Sequence, residues 1–223
     1  MNIAIDGPAG AGKSTIAKKA AGELGFIYVD TGAMYRAVAV YLTESDISAS
    51  DEDLVEKSIA DISVEIKYED GAQQVYLNGE NVTGKLRTEA AGNMASKASA
   101  LPCVREKLLS LQRDLAASND VVMDGRDIGS VVFPHAEVKF FMTASPEVRA
   151  QRRYKELIEK GEKVTYEEVE ANVRKRDYID EHRETSPLVK TPDAVLIDNG
   201  DMTVEEEVEE MLKIIRSRYE SRN

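Results

Sequence analysis

Residues 7–14 read GPAGAGKS, in which glycine, lysine and serine fall at the offsets G-x-x-x-x-G-K-[ST]. Glycine inside a strand or helix costs roughly 0.5–1 kcal/mol relative to alanine, so a cluster of glycines marks a task for the backbone itself. The task fitting this spacing is holding an anion: a glycine-rich loop wraps closely round a phosphate, points its N–H groups inward and adds the positive end of the following helix. On this reading Gly7, Pro8, Ala9, Gly10, Ala11, Gly12, Lys13, Ser14 and Thr15 bind ATP, Lys13 reaches the β- and γ-phosphates, and Ser14 ligates Mg²⁺. Two further stretches pair acid with base, DTGAMYR at 30–36 and DGRDIG at 124–129. Arg36 and Arg126 are candidates to grip a second phosphate. Taken singly Arg36 reads as helix surface, but acid and arginine together after two successive strands point to a site. Asp124, closing an apolar run, is placed to orient the waters of Mg²⁺ or to cap the adjoining turn.

Elements must hold these residues in place. Short apolar runs NIAID, FIYVD, VVMDG, VKFFM and AVLID begin near residues 2, 26, 121, 138 and 194, with helical patterns between them. The β-α-β-α order implies a parallel sheet covered by helices on both faces, with the charged turns at the carboxyl ends of the strands, where ligands sit in such folds. The phosphate loop follows the first run and precedes the helix-compatible IAKKAAGEL. From 101 to 118, Leu101, Val104, Leu108, Leu111 and Leu115 form one apolar helical stripe. Ser145 before Pro146 reads as an N-cap, and Thr165 with Glu168 and Thr203 with Glu206 as capping boxes. Residues 64–82, VEIKYEDGAQQVYLNGENV, alternate instead, with Asp70-Gly71 and Asn78-Gly79 as turns, and predict a small antiparallel meander. The acid-rich VEEEVEE at 204–210 reads as the solvated face of the last helix.

Composition narrows the class. At 223 residues the chain can bury a substantial core as one unit, and 42% of its residues are apolar. A formal net charge of −12 argues against a nucleic-acid polymer as partner. The single cysteine, Cys103, forms no internal disulfide and reads as a small core residue, which suits a reducing compartment. No leader segment and no run approaching 18 apolar residues is present, so the expectation is a soluble cytoplasmic chain without a membrane partner. With no exposed apolar stripe, a monomer is expected. His135 and His182 lie outside the phosphate loop and read either as solvent-side residues or as supports behind the residues that touch the ligand. A phosphate loop names no reaction by itself. The base-reading N-K-x-D of GTPases is absent and the chain is short for a motor or transporter, which leaves a small-molecule kinase.

In the order IDGPAGAGKST, DTGAMYR, LPCVRE, DGRDIGSVVFP, RAQRR and RDYIDEHRETSPL, the sequence closely resembles the bacterial cytidylate kinases, a group of nucleoside monophosphate kinases. The resemblance spans essentially the whole chain. It implies an α/β phosphate-loop fold of three layers: a five-stranded parallel sheet flanked by helices, a small antiparallel β insertion and a short helical lid. It implies a single kinase unit over 1–223, with core segments 1–35, 100–145 and 185–223. A monophosphate-binding region over 36–99 carries the β insertion near 62–85, and 146–184 forms the lid and following helix. The implied reaction passes the γ-phosphate of ATP to CMP or dCMP. Ser96, Arg105 and Asp127 would read cytosine, Arg36, Arg126 and Arg183 would hold the acceptor phosphate, and Arg176 and Asp180 would contact the sugar. Thr31 and Tyr35 join the substrate-binding set, while Lys13, Arg126 and the lid arginines Arg149, Arg152 and Arg153 form the catalytic set.

Elementary chemistry agrees with the base assignments. Cytosine offers an amino donor beside two acceptors, which a carboxylate and a guanidinium or hydroxyl match. Uracil turns that donor into an acceptor and leaves the carboxylate unpaired, so weak UMP activity is expected. Without the resemblance, Ser96 reads as helix surface and Arg105 as an i, i+4 partner on its helix. Phosphoryl transfer needs alignment and charge neutralisation more than a strong base. Two rival readings share the loop: a kinase for UMP, AMP or a sugar acid, and an ATP-gated adaptor without an acceptor site.

Overall fold

Five of the apolar runs become the five strands of one parallel sheet in the computed structural model, which describes residues 1–220. The strands are β1 (Asn2–Asp6), β2 (Ile27–Asp30), β6 (Val121–Gly125), β7 (Val138–Thr143) and β8 (Val195–Asp198), in the order β2-β6-β1-β7-β8. The alternating run at 64–82 becomes a separate antiparallel sheet of β3 (Val64–Glu69), β4 (Ala72–Leu77) and β5 (Glu80–Asn81). Its two turns place Asp70, Gly71, Asn78 and Gly79 at positive φ, the backbone those residue types tolerate. The helices are α1 (Lys13–Leu24), α2 (Thr31–Glu44), α3 (Glu52–Ser58), α4 (Glu89–Ala98), α5 (Pro102–Ala117), α6 (Pro146–Glu159), α7 (Tyr166–His182) and α8 (Val204–Glu220).

The described chain divides into two units, one of Met1–Tyr28 with the described residues from Asn119 onward, the other of Val29–Ser118. In the first, β1 lies between β6 and β7, so the loop after it opens where the chain departs in opposite directions, the crevice position of open α/β sheets. Ile3, Ile5, Ile16, Phe140, Met142, Met211 and Ile215 form a contiguous core in which α1 and α8 seal the sheet. Each such side chain contributes about 1.5–3 kcal/mol by leaving water. Ser145 caps α6 ahead of Pro146, and the Thr165 and Thr203 boxes close as their spacing predicts.

Two sequence expectations need correction. Glu207 belongs to the acidic run read as solvated, yet it is 3% exposed, and burial raises its pKa. It lies four residues before Met211 and eight before Ile215, on the helix face that meets the core. The stripe on α5 is also rotated: Val104, Arg105, Leu108 and Gln112 are buried, while Leu111 and Leu115 are only half-buried. No helix among the described residues is long and apolar enough to cross a membrane.

In the second unit α2 packs against α4, α5 and the small sheet. Gln73 of β4 receives the Asp30 backbone N–H on its Oε1 at 2.8 Å and donates from Nε2 to the Asp30 carbonyl at 3.2 Å, a side-chain imitation of a strand neighbour. The meander thereby pins the junction of β2 and α2.

Candidate active site

The loop after β1 needs its glycines for steric reasons. Gly7 has φ +147°, and a Cβ there would sit 2.0 Å from the Met142 carbonyl oxygen on β7. Gly12 holds φ +82° as the N-cap of α1 and offers no side chain to the helix end, so the first-turn amides of α1 keep their capacity for an outside anion. Exposure alternates along the loop, with Ala9, Ala11 and Lys13 buried and Gly10, Gly12, Ser14 and Thr15 exposed.

Lys13 folds back over its own loop and donates from Nζ to the carbonyls of Gly7 and Pro8, each at 2.8 Å. Burial, helped by the charge of Arg126, lowers its pKa from 10.5 to about 7. An arriving polyphosphate reverses that balance by supplying the negative charge the site lacks. Ser14 Oγ donates to Asp124 Oδ2 at 3.0 Å, and Tyr28 donates its hydroxyl to Asp124 Oδ1 at 2.9 Å. A serine hydroxyl touching a carboxylate is a hard oxygen pair suited to Mg²⁺, which takes one or two protein oxygens and completes its shell with phosphate and water. No cluster of three or more His, Cys, Asp or Glu among the described residues could cage a metal by itself.

The turn after β6 is held by a residue outside the predicted site. Asp6 accepts the Ile128 N–H on Oδ1 at 2.8 Å and the Gly129 N–H on Oδ2 at 2.7 Å. Burial raises its pKa to about 6, although the two amides oppose the rise. Gly129 keeps the approach close, since a Cβ there would crowd Asp6 Oδ2 at 3.2 Å and the Lys139 side chain at 3.1 Å. The stapled turn is a short π-helix, Ile128–Val132, immediately after Arg126 and Asp127. Arg126 donates from Nε to Asp180 Oδ2 at 2.7 Å. Burial works to raise the Asp180 pKa, but Arg126, Arg183 and Arg176 together hold it below its usual value. Arg183 lies 3.9 Å from Asp127, both nearly fully buried. Five predicted residues of this unit, Arg126, Asp127, Arg176, Asp180 and Arg183, thus form one electrostatic cluster.

The three arginines expected to form a lid divide. Arg149 is 3% exposed, makes a bidentate pair with Asp177 at 2.8 and 2.7 Å, and donates to the carbonyls of Ala144 and Ala9, the latter within the phosphate loop. Arg152 donates to Asn199, and Arg153 pairs with Glu156 at 2.8 Å. Both histidines are exposed, as read from the sequence.

Within the second unit, Asp30 caps α2 by accepting the Ala33 N–H at 2.9 Å and binds Arg36 Nη2 at 3.0 Å with its other oxygen. Arg36 Nε and Ser96 Oγ are buried without a hydrogen-bond partner, the condition of groups built to meet something else. Arg105 is 7% exposed, donates to the Ser99 carbonyl at 3.0 Å and sits 5.5 Å over the Tyr35 ring. Thr31 is buried.

The cytidylate kinase family pattern matches residues 3–217. The chain belongs to the cytidylate kinase family. It is similar to the cytidylate kinase of Carboxydothermus hydrogenoformans, 50% identical over 215 residues that cover 96% of this chain and 97% of the relative. It is also similar to that of Flavobacterium johnsoniae, 48% identical over 221 residues and 96% of each chain. A solved structure of an uncharacterized protein from Eubacterium ventriosum matches 97% of this chain and 98% of its own with a TM-score of 0.52, and at 14% identity it speaks to the fold alone. For a cytidylate kinase family member, sequence reasoning named the loop, Asp124 and the arginines as site candidates and did not name Asp6, Gln73 and Asn199, which the structure bonds to the β6 turn, to Asp30 and to the loop. Asp6 had a signal, as an acid ending the strand that feeds the loop. Gln73 and Asn199 had none, because their partners lie 43 and 188 residues away.

Proposed function

We propose that this cytidylate kinase family member transfers the γ-phosphate of ATP to CMP or dCMP, giving ADP and CDP or dCDP. What carries the reading is a phosphate loop at the end of the central strand, in a chain that matches the family along its length. Backbone N–H groups of residues 7–15, apart from Pro8, which has none, and the Lys13 side chain receive the polyphosphate. Ser14 and Asp124 are the oxygens that would hold Mg²⁺, which when bound supplies positive charge against the developing charge on the transferred group.

On the acceptor side, Arg126 and Arg183 offer guanidinium groups to the monophosphate, Asp127 takes the cytosine amino group, and Arg176 and Asp180 serve the sugar. In the smaller unit Arg36 Nε and Ser96 Oγ are suited to the monophosphate and the base, with Arg105 as a second base donor and Thr31 and Tyr35 beside them. Arg152 and Arg153 bring charge to the polyphosphate, and Arg149 acts through the loop carbonyl it holds. The ordered guanidinium–carboxylate pairs align donor and acceptor, which is most of what a loose phosphoryl transition state requires. The acidic chain is proposed to work as a cytoplasmic monomer, with neither a nucleic-acid polymer nor a membrane as partner.

The test is ADP formation from ATP with CMP, dCMP, UMP, AMP or no acceptor. CMP and dCMP should turn over fast, UMP weakly, and AMP and the blank near background. Equal rates with AMP, or ADP release independent of acceptor, would overturn the assignment.

A further inference from the structure

Asn199 follows β8 and is fully buried. Its Nδ2 donates to the Ala11 carbonyl and to Glu207 Oε2, both at 2.8 Å. Its Oδ1 accepts from Arg152 Nη1 at 3.1 Å, its own carbonyl accepts from Arg152 Nη2 at 2.8 Å, and its backbone N–H donates to Thr143 at 2.9 Å. Both amide hydrogens and the amide oxygen are therefore engaged. Chemistry fixes which way the group points: turned over, its oxygen would face a carbonyl and a carboxylate, and its NH₂ would face a guanidinium.

The partner that matters is Ala11. Cis peptides are absent among the described residues, and in a trans peptide the C=O and the following N–H point in opposite directions. Drawing the Ala11 carbonyl toward the buried Asn199 side chain turns the Gly12 N–H away from that side chain, at a residue that is itself exposed, as Gly10, Ser14 and Thr15 are. Arg149 holds the Ala9 carbonyl two residues earlier, with the same consequence for the Gly10 N–H. We propose that Asn199 is a positioning residue of the phosphate loop: it sets the Ala11–Gly12 peptide so that the Gly12 amide faces the nucleotide phosphate before the nucleotide arrives, with Glu207 and Arg152 fixing Asn199 in turn. The proposal rests on reading residues 7–15 as the polyphosphate cradle. A donor aimed in advance needs no reorganisation when charge reaches it, which is where such amides gain their effect. Glu207, whose neighbouring acids Glu205, Glu206, Glu209 and Glu210 are exposed, is buried with its carboxylate on this amide.

Asn199→Asp keeps the shape, loses both hydrogens and sets a carboxylate against the Ala11 carbonyl and Glu207. The expected result is a rise of about tenfold in the KM for ATP and in the Kd for ADP measured by calorimetry, with the KM for CMP within about twofold of wild type. Glu207→Leu, which removes the acceptor, should weaken ADP by about threefold, while Glu207→Gln, which retains one, should bring the affinity back. Melting temperatures without nucleotide are measured alongside. A lowered melting temperature with unchanged ADP affinity in Asn199→Asp would make the residue a mere anchor of α8 and overturn the proposal. Should that variant not fold, unchanged ADP affinity in Glu207→Leu overturns it equally. Lys13→Met separates the two readings. If it binds ADP like wild type, the cradle itself is misassigned; if it loses ADP while the Asn199 and Glu207 variants keep it, only the positioning role falls.

Discussion

Asp6→Asn asks what a buried charge costs and what it holds. The Asp6 pKa rises from 3.8 to about 6 because desolvation outweighs two amide hydrogen bonds. Between those values the folded chain keeps a proton that the unfolded chain releases. The group's contribution to stability is therefore fully present below the ordinary value and is lost as pH climbs through 6. The loss amounts to about 3 kcal/mol in all, of which about 2 kcal/mol falls between pH 4 and pH 7. Asparagine has no such titration. Urea unfolding of both proteins across that range, followed by circular dichroism, should show the wild-type advantage over Asp6→Asn shrinking by about 2 kcal/mol as pH rises. Carboxylates with lowered values, such as Asp180, act in the opposite direction but are present in both proteins and cancel in the difference. A difference that stays flat or grows with pH would refute the reasoning. The charge persists because a carboxylate has two acceptor oxygens for the Ile128 and Gly129 amides and a side-chain amide has one, so the variant should also raise the KM for CMP by loosening the turn that carries Arg126 and Asp127.

Two further outcomes follow from the proposed roles. Lys13→Met should lower turnover by about two to three orders of magnitude with the circular dichroism spectrum unchanged, and near-wild-type rates in a coupled ADP assay would remove Lys13 from the chemistry. Asp127→Ala leaves both the cytosine amino group and the adjacent Arg183 without their carboxylate, so kcat/KM for CMP should fall by about a hundredfold or more while ADP affinity holds; unchanged CMP kinetics would show that the base is read elsewhere.

The sequence by itself determined the parts whose causes are local. Five apolar runs, three capping pairs, two Asx-Gly turns and the offsets of GPAGAGKS each depend on residues within a few positions of one another, so strands, helix starts, meander and loop were legible before any coordinates. Tertiary structure decided which charged side chains face one another and which backbone groups they restrain. Glu207 and Glu206 are adjacent letters of one acidic run, yet one is buried against Asn199 and the other caps a helix in solvent. Arg149 and Arg153 are two arginines of one short motif, yet the first is bonded to Asp177 and the loop and the second to Glu156, a turn along its own helix. Asp6 finds its amides 122 and 123 residues away because β1 and β6 lie side by side in the sheet. Periodicity and propensity act over one or two turns of chain, whereas the value of a charge depends on what the whole fold brings within a few ångströms of it.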